Sequence, residues 1–277
     1  MSGEVICSTG VLVNRDIIEN YTIAFDYIKQ LDQSLFEIIL YPQWRDNYKE
    51  IIKGFGSSGK IFKILHCEKK IGSFFANGPE EMDEWQEGIR ILEANCLVGQ
   101  ELGTEKAVLH LWELPYSDEK IENNLKAVEQ CSHIAEKYGM HLCVETIPCK
   151  VSSPLKVLKR VVDSDSTGEC SVTLDLKHIA YHGDVDKIYH ESWIWKLKNP
   201  AHFHIRDYIG EPFDSTIFST SLHPGEGNID FAKLFSFINK SGDKHTITLE
   251  ASGIRIDGSF NAQKVMTSLN WIKDNIS

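Results

Sequence analysis

The strongest constraint in this sequence is a repeated ending. Four short, apolar, β-rich runs each close on a residue able to bind a metal ion. They are His141-Leu-Cys-Val-Glu145, Ser171-Val-Thr-Leu-Asp175, Ala201-His-Phe-His204 and His245-Thr-Ile-Thr-Leu-Glu250. Side chains alternate between the two faces of a strand. Cys143 and Glu145 therefore share a side, as do His202, His204 and Arg206, and Thr248 and Glu250. If the last member of each set points inward, three carboxylates and an imidazole meet at one end of a sheet. Like charges gathered there are unfavourable without a cation. The pattern predicts a metal site made of Glu145, Asp175, His204 and Glu250. Mixed carboxylate and imidazole donors suit Mn, Co, Zn, Mg or Fe and do not separate them.

The rest of the chain repeats the strand-then-helix alternation. Strands are expected at Val5-Ile-Cys7, Leu35 to Tyr41, Lys60 to His66 and Ala107 to Trp112, ahead of the four runs above. Helices are expected over 17–31 with Asp16 as cap, 45–55, 79–102 and 117–138, then from Pro154, over 185–198, over 231–239 with Asp230 as cap, and over 262–276. Strands alternating with helices imply a parallel sheet. Eight such units in 277 residues fit a single-domain (β/α)8 barrel, the TIM barrel, spanning 1–277. An open doubly wound sheet would need a glycine-rich first turn. Ser8-Thr-Gly-Val-Leu-Val does not supply one.

Charge narrows the partners. The net charge is −11 and the pI is about 5.5, a surface that repels phosphate backbones. No nucleic-acid partner is expected, and no apolar stretch is long enough to span a membrane. The N-terminus has no basic, then apolar, signal-peptide pattern. Seven cysteines, an odd number with no CxxC pair, read as reduced buried thiols in a cytoplasmic protein.

Further polar residues fall near the same strand ends: His66, His110, His178, Arg206 and His223. Taken singly, a strand-end histidine is usually structural and an aspartate after a strand is usually a helix cap. So many in succession argue for a common site. His178 and Arg206 read as substrate contacts. His66, His110 and His223 join them as substrate-binding candidates, with ligation of a second metal open for the first two. His182 is expected on a solvated helix start, and Lys150, Lys177 and Arg255 read as rim charges. Gly225 and Gly227 suggest that the loop from Leu222 to Asp230 closes part of the pocket.

These motifs resemble a known superfamily. Glu145 after an apolar strand, Asp175-x-x-His178, His204-Ile-Arg-Asp207, His223-Pro-Gly-Glu-Gly and Glu250 look like the xylose isomerase-like barrels. That superfamily contains sugar and sugar-phosphate isomerases and epimerases, inosose and dehydroshikimate dehydratases, and endonuclease IV. The ketose 3-epimerase branch implies one divalent metal on Glu145, Asp175, His204 and Glu250. It also implies the two glutamates, Glu145 and Glu250, as acid and base, acting through a metal-stabilised enediolate on a small sugar-like substrate. A homo-oligomer is compatible with it. Endonuclease IV implies a larger set that adds His66, His110, His178 and His223. Its further aspartate is replaced here by Ser221.

Overall fold

Eight parallel strands close on themselves in sequence order: β1 Glu4–Ser8, β2 Leu35–Ile39, β3 Ile61–His66, β4 Lys106–Leu109, β5 His141–Glu145, β6 Ser171–Asp175, β7 His202–Ile205 and β8 Thr246–Leu249. This is a computed structural model, and it describes residues 3–14, 17–218 and 220–276. Each strand is followed by a helix on the outside: α1 Thr22–Lys29, α2 Tyr48–Gly56, α3 Met82–Leu102, α4 Val128–Lys137, α5 Pro154–Ser164, α6 Leu176–Tyr181, α7 Phe231–Ser241 and α8 Ala262–Asn275. The fold is the expected (β/α)8 barrel.

Alternation along the strands divides the core in two. Outward residues such as Phe36, Leu65, Val144, Leu174, Phe203 and Leu249 pack under the helices. Burying one such side chain stabilises the fold by about 1.5–3 kcal/mol. Inward residues fill the lumen, where Ile6, Ile64, Val108 and Cys143 form a small apolar cluster. Other inward positions are polar, with Glu37, Thr173, His202, His204 and Thr248 all buried. Register sets the mouth: Asp175 lies beside His204, and His204 beside Thr248. All seven cysteines are free and buried. No helix among the described residues is long and apolar enough to cross a membrane.

Three helical expectations change. The first helix begins at Thr22 instead of residue 17, and Asp16, its expected cap, lies outside the described residues. The Trp44 indole donates to the Ile18 carbonyl (2.7 Å) and holds the preceding segment as an irregular turn. The run over 117–138 splits into a tight turn at Ser117–Lys120, a short helix Ile121–Leu125 and α4. Asn124 accounts for the split, because its amide donates to the carbonyls of Gly72 and Leu111, both at 2.7 Å, and draws the short helix onto the barrel. The helix expected over 185–198 is two tight turns, Val185–Tyr189 and Ile194–Lys196. The true helix of that unit, α6, starts directly after β6, because Asp175 caps it and Gly183, at φ +68, stops it.

Candidate active site

Asp175 has two jobs at once. Its Oδ1 accepts the backbone N–H groups of Lys177 (2.9 Å) and His178 (3.2 Å), which starts α6. Its Oδ2 faces the mouth, where the Arg206 guanidinium donates to it. One carboxylate oxygen thus makes the helix cap, and the other stays on the side of the mouth. Thr146, just after β5, supports the arrangement. Its hydroxyl accepts the Asp175 N–H (2.8 Å), and its carbonyl accepts the Nδ1–H of His178 (2.6 Å). That bond leaves Nε2 of His178 as the acceptor, 3.4 Å from Arg206. Burial pushes the His178 ring down to about 4, so it is neutral at ordinary pH.

His204 is the centre of the quartet. Its Nδ1 lies 3.1 Å from Glu145 Oε1 and 3.5 Å from Glu250 Oε2. One donor atom from each of Glu145, Asp175, His204 and Glu250 lies within 4.8 Å of the others. Burial alone would discharge the ring. Glu250, Glu37 and Glu145 outweigh it and hold His204 well above the usual histidine range. Burial would likewise raise Glu145, but His110 and His204 overcome it and hold that carboxyl well below its usual range. Glu250 is lowered against burial by His204 and then Arg206.

Glu37 is a member the sequence reading missed. It is fully buried at the middle of β2. Its Oε2 accepts from Nε2 of His204 and Nε2 of His202, each at 3.1 Å, and its carboxyl sits far below the usual range. Burial disfavours its charge, and the two imidazoles more than offset that. The signal was present: a lone carboxylate inside the apolar run Leu35-Phe-Glu37-Ile-Ile-Leu. With Nε2 of His204 bound to Glu37, Nδ1 is the nitrogen directed at the mouth, as a metal ligand requires.

His66 and His110 converge on the other side of Glu145. The Nδ1–H of His66 donates to the Cys67 carbonyl (2.9 Å), and its Nε2 lies 3.1 Å from Glu145 Oε2. Nδ1 of His110 bonds Glu113 (2.7 Å), and its Nε2 lies 2.8 Å from the same Glu145 oxygen without the alignment of a hydrogen bond. Burial opposes charge on His110, yet Glu145 and Glu113 raise it above its usual value. One donor atom from each of His66, His110 and Glu145 lies within 4.8 Å of the others, a spacing that fits a metal ion.

His223 is placed apart from this cluster. Its ring nitrogens bond the Ser268 hydroxyl (2.7 Å) and the Ser252 carbonyl (3.0 Å). Nor does the loop from Leu222 to Asp230 line the cavity above the cluster. The Asp207 carboxylate takes the backbone N–H groups of Gly225, Gly227 and Ile229 at 2.9–3.1 Å and holds the loop to the barrel wall. A Cβ on Gly227 would lie 2.4 Å from the Tyr208 carbonyl, so the close approach that glycine permits is to the loop's own anchor. His182 is buried instead of solvated, and its Nε2 accepts the Cys149 N–H (3.0 Å).

A cavity of about 650 Å³ adjoins the cluster through His110 and Arg206, which line it together with His178, Ile147, Pro148 and Tyr181. That volume suits a small metabolite.

Strands, lumen and mouth together define a (β/α)8 barrel with imidazoles and carboxylates gathered at the C-terminal ends of its strands. The chain belongs to the xylose isomerase-like TIM barrel family, whose model matches residues 23–275. It is 27% identical over 187 residues to the uncharacterised protein MJ1311 of Methanocaldococcus jannaschii, over 61% of this chain and 60% of that protein's length. Among solved structures it resembles the 3-keto-D-glucoside 4-epimerase YcjR of E. coli, with TM-score 0.68, 16% identity and coverage of 98% and 99% of the two chains. An L-ribulose 3-epimerase gives TM-score 0.71 at 14% identity over 99% and 94%. At such identities the likeness is one of fold.

Proposed function

We propose that this protein is a divalent-metal-dependent epimerase or isomerase of a sugar-like substrate. The observation that carries the reading is that Glu145 and Glu250 approach the same nitrogen of His204, at 3.1 and 3.5 Å, next to a metabolite-sized cavity whose lining residues His110 and Arg206 contact them. Glu145, Asp175, His204 and Glu250 would hold the metal. When bound, such an ion supplies Lewis-acid stabilisation of the negative charge that develops on a carbonyl substrate when its α-proton leaves. Glu145 and Glu250 are the base and the acid. A proton taken by one and returned by the other on the opposite face gives epimerisation. Return to the neighbouring carbon gives isomerisation, and loss of a β-hydroxyl gives dehydration. His178, neutral with Nε2 as acceptor, receives a substrate hydroxyl. Arg206, fixed by Asp175 and Glu250, donates to a substrate oxygen. The sugar epimerases among its structural neighbours support this reading.

The experiment is elemental analysis of the purified protein, then proton exchange in heavy water with a ketose panel. One equivalent of divalent metal, with metal-dependent exchange of the substrate C–H, is the expected result. A second reading, a metal-dependent phosphodiesterase, draws on the His66, His110 and Glu145 group, which shares Glu145 with the quartet. Against it stand the net charge of −11 and Ser221, whose hydroxyl is engaged by the Ser252 N–H (2.7 Å). Two or more metals with nicking of abasic DNA at physiological salt would decide for it.

A further inference from the structure

The cavity wall carries the opposite charge to the protein as a whole. The chain has 40 acidic and 29 basic residues, yet Lys69, Lys150, Lys177 and Arg206 line this cavity against one carboxylate, Glu113. Glu113 is already engaged. One oxygen bonds His110 Nδ1 (2.7 Å) and the other accepts the Leu114 N–H (2.8 Å). Lys150 pairs with Glu119 at 2.8 Å, and Arg206 with Asp175 and Glu250. Buried Lys177 donates to the Thr220 carbonyl (2.6 Å). Lys69 is different. It sits half-buried in the turn after β3, with no ion-pair or hydrogen-bond partner among the described residues. It lines the same cavity as Lys177, His178 and Arg206. Two lysines on the wall of one cavity draw an anion into it, and Lys69 has its charge unengaged.

From this we infer that the substrate is an anionic sugar, with Lys69 and Lys177 receiving its phosphate or carboxylate while the quartet takes the carbonyl end. The inference rests on the reading above for the carbonyl end only. The lysine subsite stands on its own residues.

The test is calorimetric binding to the metal-loaded protein of three ligands with the same ketose head: D-fructose, D-fructose 6-phosphate and D-fructuronate. Inorganic phosphate is titrated alone, with metal and with chelator. At least one charged ketose is expected to bind tenfold or more tighter than fructose, with the difference shrinking as salt rises. The phosphate and carboxylate arms identify which anion is read. In Lys69→Gln the preference for the charged ligand over fructose should fall about tenfold, and Lys69→Arg should restore it, which separates lost charge from lost fold. Fructose binding as tightly as both charged ketoses overturns the inference, as does a preference that Lys69→Gln leaves intact. If no ketose binds, Lys69-dependent binding of inorganic phosphate supports the anion subsite, and its absence overturns it. Absence of bound metal in the elemental analysis would sink the epimerase reading while leaving the phosphate titration to judge the lysines.

Discussion

At the scale of single residues, Glu145 is the junction. It contacts His66, His110 and His204, so it belongs to both donor groups of the mouth. Glu145→Gln and Glu250→Gln keep size and an oxygen donor but remove the basic carboxylate. Turnover should fall by roughly 10²–10⁴ in each, with metal content largely kept. Asp175→Asn should act mainly through metal content. Near-normal turnover of both glutamine variants with metal bound would rule out the assignment. Glu37 acts at one remove, through the ring of His204. Glu37→Gln should lower metal affinity about 10–100-fold, read by competition with a fluorescent chelator independently of activity. An unchanged affinity would leave Glu37 as a packing residue. The contrast shows what a sequence can reveal at this scale. Glu145, Asp175, His204 and Glu250 were legible because each ends an apolar run. Glu37 sits within one, where the side of the sheet it faces depends on a register no local pattern displays.

At the scale of elements, strands were legible and helix limits were not. A buried parallel strand announces itself as a run of apolar residues, and all eight were found to within a few residues. Helices on the rim are shaped by bonds to distant residues, as with Asn124 of the 117–138 run and the Gly72 carbonyl (2.7 Å). Asp118 is another such bond-maker. Its carboxylate accepts the backbone N–H groups of Lys150, Val151 and Ser152 at 2.7–3.0 Å and fixes the loop after β5. Asp118→Ala should destabilise the protein by about 1–3 kcal/mol, measured by urea unfolding. Burial raises the Asp118 carboxyl, but these N–H groups prevail and lower it. A lowered folded-state value contributes stability that is present above the unfolded-state pKa and lost as pH falls through the folded one. The gap between wild type and Asp118→Ala should therefore close in acid below about pH 4. A gap unchanged down to pH 2 would exclude the carboxylate as its source.

At the scale of the whole molecule, the mouth concentrates acidic groups that a bound cation would relieve. A ligand at 100 times its Kd stabilises the native state by about 2.7 kcal/mol. Adding a divalent metal to chelator-treated protein should raise Tm by a few degrees in scanning calorimetry, and the rise should vanish in Asp175→Asn. An equal rise in that variant would place the binding elsewhere. The barrel also contains a connection that its hydrogen-bond ladder does not. Strands β2 and β7 are not neighbours, for β1 and β8 lie between them. Yet Glu37 on β2 grips His202 and His204 on β7 across the lumen. That carboxylate works as a crossbar between opposite walls of the cylinder. Backbone amides on the two strands should then open in concert, with matching deuterium uptake in exchange mass spectrometry. In Glu37→Leu the two walls should breathe independently.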